Sequence, residues 1–425
     1  MKHYLIGAAA GGGLVIAGVV MGALLFGGGP GQQPPQTDSE PVAGSEQPLD
    51  SGRDPAMAEA ETAYAAGDLA GAYEALLPLA ESGHPLAQQR IGYMYKEGLH
   101  VEADPAEAIS WLERAVEQGN EGAGALLAEL LRERSISQPV SGAVIEDLSR
   151  AAELGDVEAQ AVLGSYYLAG HGVAADPERA VELLRDAAEA GDMRAQSNLG
   201  YAYATGTGVA ADQAEARRWY GVAAEAGLVR AQTAYALMLE EGRGGAEDFA
   251  EAMRWYLNAA EGGHRPAMAR LGRLILEERM QPPNALRAAE FVRAAAEDGA
   301  DGAVDWLRAR QSEGVAEAGT QLAMMYQAGA GVSEDPERAL ALLEESAAAG
   351  EPVAQYHLSR RYASGDGVDQ DYVEAHKLAN LAAAQGLEPA VEARRLVAQL
   401  MTEDQIAEAQ AAAAAWRETH DGAAP

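Results

Sequence analysis

The groups able to do chemistry in this chain are eight histidines, 65 carboxylates and a sparse set of arginines, because cysteine is absent. That absence excludes disulfides, thiolate metal sites, cysteine nucleophiles and a lipid-modified N-terminal cysteine. Among His3, His84, His100, His171, His264, His357, His376 and His420, no pair stands at zinc-ligand spacing beside an acidic helper, and no His-Glu-x-x-His occurs. His84 and His264 follow equivalent glycines in a repeating pattern, which marks them as turn residues. Asp366, Asp369 and Asp371 resemble part of a calcium loop. The first aspartate, the central glycine and the glutamate at twelve are missing, so a turn explains them. Gly-x-Ser-x-Gly, phosphate-loop and dinucleotide signatures are also missing. Acidic pairs such as Glu240-Glu241 and Glu344-Glu345 read as solvated helix faces. The chain is therefore expected to hold no cofactor or metal and to be no enzyme.

What remains is binding chemistry. Arg90, Arg270, Arg273, Arg308, Arg310, Arg360 and Arg361 stand in first-helix positions off the packing stripe described below. The flat, multi-donor guanidinium suits partner surfaces. The competing explanation is ordinary pairing with glutamates one turn away, and sequence alone leaves both open. The formal charge of −34 makes duplex nucleic acid and anionic lipid surfaces poor partners for the whole molecule. Its plainest meaning is a solvated acidic face that keeps an alanine-rich protein soluble.

The elements that must position these arginines repeat. Glycine recurs every 36 residues at Gly83, Gly119, Gly155, Gly191, Gly227, Gly263 and Gly299, then at Gly350 and Gly386 after one slip. A period of this size marks stacked two-helix units. The fourth position after each glycine is alanine, from Ala87 and Ala123 through Ala354; four residues on lies a large apolar column, Ile91 to Leu358. A third column, four further on, includes Tyr95, Tyr167, Tyr203, Tyr326 and Tyr362. Steps of four place the three columns on one helix face. Beside the second runs a small column, Gly92, Ala128, Gly164, Gly200, Ala236, Gly272, Ala323 and Ser359, which admits a neighbouring helix at short range. The second helix of each unit opens with an aspartate cap, as in Asp104-Pro105, Asp176-Pro177 and Asp335-Pro336, and carries its own stripe, as in Ala180, Leu183, Leu184, Ala187 and Ala188. Between the helices lies a Gly-x-Gly-Val turn, as at Gly206-Thr207-Gly208-Val209.

The pattern A-x3-L-G-x2-Y-x2-G-x-G-V-x2-D-x3-A-x2-W-x3-A-A-x2-G resembles the Sel-one-like repeat family, relatives of the tetratricopeptide repeats; residues 192–227 follow it almost position by position. The resemblance implies an all-α, right-handed α-α superhelix, a solenoid whose first helices line the concave surface where protein partners dock. It suggests settings such as polysaccharide export, sensor control, secretion or cell-envelope assembly. Some relatives are hydrolases acting on β-lactams, but those look cysteine-rich. Catalysis and structural self-assembly therefore stand as alternatives to an adaptor.

Residues 54–83 read as an N-terminal capping hairpin and 84–299 as six units, of which 120–155 and 264–299 are degenerate at the turn. Residues 300–314 supply one helix, 315–386 two more units, and 387–425 the closing helices. Thr402 and Gln405 form a capping box. The lone helix is expected to kink or break the stack between Gly299 and Gly314. From Tyr4 to Phe26 runs a 23-residue segment without charge, long enough as a helix (~35 Å) to cross a bilayer. Lys2 precedes it and acidic residues follow, which places the N-terminus inside and the repeats in the periplasm of a bacterial inner membrane. No A-x-A site follows, so residues 1–26 are expected to stay as an anchor rather than leave as a signal peptide. Gly18 and Gly22 give it a face on which a second copy can pack as a homodimer. Residues 27–53, with five prolines and six glycines, read as a flexible tether reaching roughly 30 Å. The partners expected are envelope proteins, with no nucleic acid.

Overall fold

The computed structural model describes residues 55–420. The uncharged segment with Gly18 and Gly22, and the tether at 27–53, lie outside the described residues. Among the described residues every regular element is an α-helix, 21 in all. None of these is long and apolar enough to cross a membrane. The chain divides into two compact units, Met1–Asp248 and Phe249–Pro425.

The first unit contains α1 (Pro55–Ala65), α2 (Leu69–Glu81), α3 (Pro85–Glu97), α4 (Pro105–Val116), α5 (Glu121–Ile136), α6 (Gly142–Glu153), α7 (Val157–Ala169), α8 (Pro177–Glu189), α9 (Met193–Thr205), α10 (Gln213–Glu225) and α11 (Val229–Glu240). Helices pair within a repeat, α3 with α4, α7 with α8 and α9 with α10, and each second helix then packs on the next first helix. The columns read from the sequence form the contact: Ala87, Ile91, Leu127, Leu163 and Leu199 are buried against stripes such as Leu112, Leu148 and Leu184. The small column works sterically. A Cβ on Gly92 would stand 2.7 Å from Leu112 Cγ, and one on Gly164 would stand 2.8 Å from Leu184 Cγ.

Two recurring hydrogen bonds fix the pattern. The cap aspartate donates its backbone N–H to the carbonyl of the third column, Asp104 to Tyr95 at 3.0 Å and Asp212 to Tyr203 at 2.9 Å, which sets the length of the turn. A glutamine one residue after the conserved alanine donates back to the preceding repeat, Gln88 Nε2 to Ala80 O at 3.1 Å, Gln196 to Ala188 O at 3.2 Å and Gln232 to Ala224 O at 3.3 Å. These glutamines are buried, so each bond satisfies a carbonyl that water cannot reach.

The aspartate side chains also cap. Asp104 Oδ1 accepts from Ala106 N at 2.9 Å and Glu107 N at 3.2 Å, and Asp176 Oδ1 accepts from Arg179 N at 3.0 Å. Exchanging Asp176 for alanine should cost about 1 kcal/mol in chemical denaturation. Asparagine, which can still accept, should restore most of it.

The second unit contains α12 (Phe249–Glu261), α13 (Arg265–Leu276), α14 (Ala285–Glu297), α15 (Ala303–Ser312), α16 (Ala316–Ala328), α17 (Pro336–Ala348), α18 (Pro352–Ser364), α19 (Tyr372–Ala384), α20 (Glu388–Ala398) and α21 (Glu403–His420). The lone helix of residues 300–314 is α15, and regular alternation is interrupted there. It packs on α13, α14 and α16, while α14 also packs directly on α16. Against α16 it takes a second-helix place, because Arg308 donates to the Tyr326 hydroxyl at 3.1 Å as Arg185 does to Tyr203 at 3.4 Å. The following turn is displaced too. Gly331 sits on the carbonyl of Ala296, near the end of α14, whereas Gly208 sits on Pro177, at the start of α8. The division between units falls between Asp248 and Phe249, not at this interruption.

At the C-terminal end α20 and α21 both pack on α19. The capping box forms, with Gln405 Oε1 accepting from Thr402 N at 2.9 Å and Thr402 Oγ1 accepting from Gln405 N at 3.3 Å. The cap is less polar outside than a closing helix needs to be. Val391 is 40% exposed, Leu396 49% and Leu400 61%.

Candidate functional site

The seven arginines are not one site. Arg90 belongs to the first unit and the other six to the second. Arg308 and Arg310 stand on α15, which serves as a second helix, so their placement on a first helix is corrected. Both pair locally, Arg308 with Asp305 at 3.1 Å and Arg310 with Glu313 at 2.7 Å. Arg270 reaches Glu277 at 3.6 Å, and Arg273 pairs with the Asp298 carboxylate. For these four the plain explanation, pairing with nearby carboxylates, describes the geometry.

Arg360 and Arg361 differ. Arg360 is exposed and stacks over Tyr356, its guanidinium carbon 5.9 Å from the ring centroid; it has no carboxylate partner among the described residues. Arg361 was expected off the packing stripe, and the structure corrects this: it is 7% exposed. The reason is its register. The eleventh position of a repeat is otherwise filled by Met94, Leu130, Tyr166, Ala202, Met238, Leu274 and Met325, and five of those seven are fully buried. That position lies beneath the Gly-x-Gly turn, and a Cβ on Gly367 would stand 3.3 Å from Arg361 Nη1. Arg361 has neither a carboxylate nor a side-chain hydrogen bond among the described residues. The side chain is packed along its stem while the guanidinium opens onto the cleft described next, a cationic head in a column that elsewhere holds mainly apolar side chains.

The two guanidinium groups line a cleft of about 440 Å³ between α18 and α20, with Tyr356, His357 and Ser359 on one wall and Leu396 and Val397 on the other. Asp366 and Glu392 stand at its margin, and Glu392 is held by Arg395 at 2.8 Å. Ser359 occupies the small column, is fully buried, and its Oγ has no hydrogen-bond partner. The facing position on the second helix, Leu112, Leu184 or Tyr220 elsewhere, is Ala379 here, which leaves room for a hydroxyl.

The imidazole of His357 is held below its ordinary value, first by burial and then by Arg360, Arg361 and Arg293. The charge of Arg293 on α14 is thus felt here as well. His376, 3% exposed, is lowered by burial and then by Arg394. Depressed folded values mean that the folded chain binds these protons less tightly than the unfolded chain. Their contribution is complete above the unfolded value of 6.5 and is lost as pH falls through the folded values. Glu351, raised by burial, works in the opposite sense, so the test is a difference. Acidification from pH 7.5 to 5.5 should lower the melting temperature of the wild type more than that of His376→Leu.

Sequence reasoning named Arg360 and Arg361 as candidates and did not name the wall facing them. Its signal was present in the apolar Leu396, in a closing helix that needs a polar exterior. No cluster of three or more histidine, aspartate or glutamate side chains able to hold a metal ion occurs among the described residues.

The Sel1 repeat model matches residues 85–120, 157–192, 194–228, 229–264, 265–299, 316–351 and 352–387. It includes the unit at 264–299, read from sequence as degenerate, and omits 120–155, which nevertheless folds as the helix pair α5 and α6. Among solved structures the chain is similar to a protective antigen of uropathogenic Escherichia coli displaying an SLR fold, with 27% identity over 83% of this chain and 80% of that one, at a TM-score of 0.44. It is also similar to a Sel1 repeat protein from Oxalobacter formigenes, with 32% identity over 68% of this chain and 79% of that one, at a TM-score of 0.43. No curated protein matches. With seven matches spread from residue 85 to residue 387, the chain belongs to the Sel1 repeat family.

Proposed function

We propose that this chain is a membrane-tethered adaptor whose repeats face the periplasm and hold protein partners of the cell envelope. Sel1 repeat proteins in general mediate protein–protein interactions and are not catalysts. The observation that carries the reading here is the cleft between α18 and α20, where unpaired arginine and exposed leucine adjoin in a chain of charge −34. Such a pairing suits a desolvated anchor inside a polar rim. The uncharged stretch at Tyr4–Phe26 and the acidic residues after it support the tethered, outward-facing arrangement.

Two measurements on the full chain test this reading. Protease added to spheroplasts should remove the repeats and leave the N-terminal end protected; full protection of the repeats would refute the periplasmic placement. Cross-linking and mass spectrometry from native membranes should recover envelope proteins with the wild type and far less with Arg360→Glu. An unchanged set of proteins would show that the cleft is not the docking site.

A further inference from the structure

We infer that the cleft between α18 and α20 seats an acidic–apolar segment of a partner protein, with one carboxylate on Arg361, a second on Arg360 and a large apolar side chain against Leu396 and Val397. The inference rests on the adaptor reading above and names the chemistry of its partner. Two independent observations converge. Arg361 is more than nine-tenths buried, has no partner among the described residues, and lines the cleft. The opposite wall, on α20, carries Leu396 at 49% exposure, an apolar side chain left open to solvent beside that guanidinium.

The charge pattern selects the anion. A planar guanidinium donates two parallel N–H···O bonds to a carboxylate, which fixes its orientation as well as its charge. Asp366 and Glu392 in the same lining disfavour a compact dianion such as phosphate, which sets its whole charge at one point, more than two carboxylates spaced so that each meets its own guanidinium. A deep guanidinium and a rim guanidinium together call for two carboxylates close in sequence. The apolar wall calls for a hydrophobic neighbour. A cleft of about 440 Å³ holds a few side chains, not a folded domain.

The test uses the full chain in detergent and a fluorescein-labelled, C-terminally amidated peptide, Gly-Ser-Phe-Glu-Glu-Ser-Gly, followed by fluorescence anisotropy. Its controls carry Gln-Gln for Glu-Glu, or Ser for Phe; a competitor arm uses inorganic phosphate. The expected result is saturable binding to the wild type, with little binding of either control and little competition by phosphate. Arg361→Met, which restores the residue type of its column, should weaken binding about ten- to a hundredfold. The same variant should not lower the melting temperature, because methionine is a residue type that fills this column elsewhere and the crowding of Arg361 on Arg360 and His357 is gone. Leu396→Ser should weaken binding while leaving the melting temperature unchanged. Equal binding of the Gln-Gln peptide, unchanged binding by Arg361→Met, or a lower melting temperature in that variant would each overturn the inference. If native partners are still captured while the acidic peptide does not bind, the adaptor reading stands and this inference alone fails.

Discussion

Leucine in place of Gly272 is expected to unfold the Phe249–Pro425 unit. Gly272 lies in the small column of α13, where the backbone of α14 comes closest. A Cβ there would stand 2.1 Å from the Phe291 carbonyl oxygen, 2.6 Å from its carbon and 2.8 Å from Ala295 Cβ. No rotamer relieves a clash with main chain, so the helices must separate. Separation would open the packing around Phe291, Leu271 and Ala295, all fully buried. Even alanine should cost about 3 kcal/mol or more, at the upper edge of overpacking effects. Gly92→Ala is the control: its Cβ would meet Leu112 Cγ at 2.7 Å and the Ala108 carbonyl oxygen only at 3.2 Å, so side-chain movement can absorb most of it. Urea denaturation followed by circular dichroism should order the variants as wild type, Gly92→Ala, Gly272→Ala and Gly272→Leu in falling stability. Equal midpoints for the two alanine variants would remove the steric account of the small column.

Valine in place of Gly208 is the second large effect, and it tests the contact between successive repeats. Gly208 has φ +73° in the turn between α9 and α10, and a Cβ would lie 2.0 Å from the Pro177 carbonyl oxygen on α8. The turn of one repeat thus rests on the start of the second helix of the repeat before. Gly244 repeats the geometry, 2.0 Å from the Gln213 carbonyl oxygen. Two penalties add: left-handed strain of about 1–2 kcal/mol, and a main-chain clash that the neighbouring repeat must yield to. Gly170 separates them. It has φ +67°, but its Cβ would meet only ordinary contacts at 3.4 Å or more, so Gly170→Ala carries the strain alone. Thermal denaturation should show Gly170→Ala losing about 1 kcal/mol and Gly208→Val about 3 kcal/mol or more. A larger loss at Gly170 than at Gly208 would contradict the docking role assigned to the turn.

Much of this fold is written in the sequence because each repeat states its rules again. The closing glycines all have positive φ, the aspartate caps accept the expected amide hydrogens, and the alanine column and most of the large apolar column form the core, with the tyrosines of the third column half-buried at its edge. The turn's seat on the preceding repeat carries no local signature, since Gly172 and Gly208 hold the same place in the turn, yet a Cβ would meet the Val140 side chain at one and the Pro177 main chain at the other. The half repeat was legible as a defect at residues 300–314. Its resolution, with α15 taking a second-helix place and α14 touching α16, depends on how three helices share one surface.

The site was legible only in part, for a related reason. Type and spacing marked seven arginines but said nothing of their partners. Arg308, Arg310 and Arg270 turn to carboxylates three to seven residues along the chain, and Arg273 to one at the end of the next helix. Arg361 could have been singled out by comparing the eleventh position across repeats, where it replaces residues such as Met238 and Met325. Leu396 belongs to a helix outside the repeat pattern, so no column exposes it as anomalous. Only packing of α20 on α18 and α19 brings it to the same cleft.

The central claim is that this acidic solenoid holds a protein at the cationic, half-apolar cleft of its last repeat. The most direct measurement places a photo-crosslinking benzophenone side chain at residue 396 of the full chain in native membranes and identifies what it captures. The account predicts crosslinks to a discrete protein through an acidic–apolar stretch, lost when Arg361 is also replaced by methionine. Crosslinks to lipid alone, or to the same protein in equal yield with and without Arg361, would contradict it.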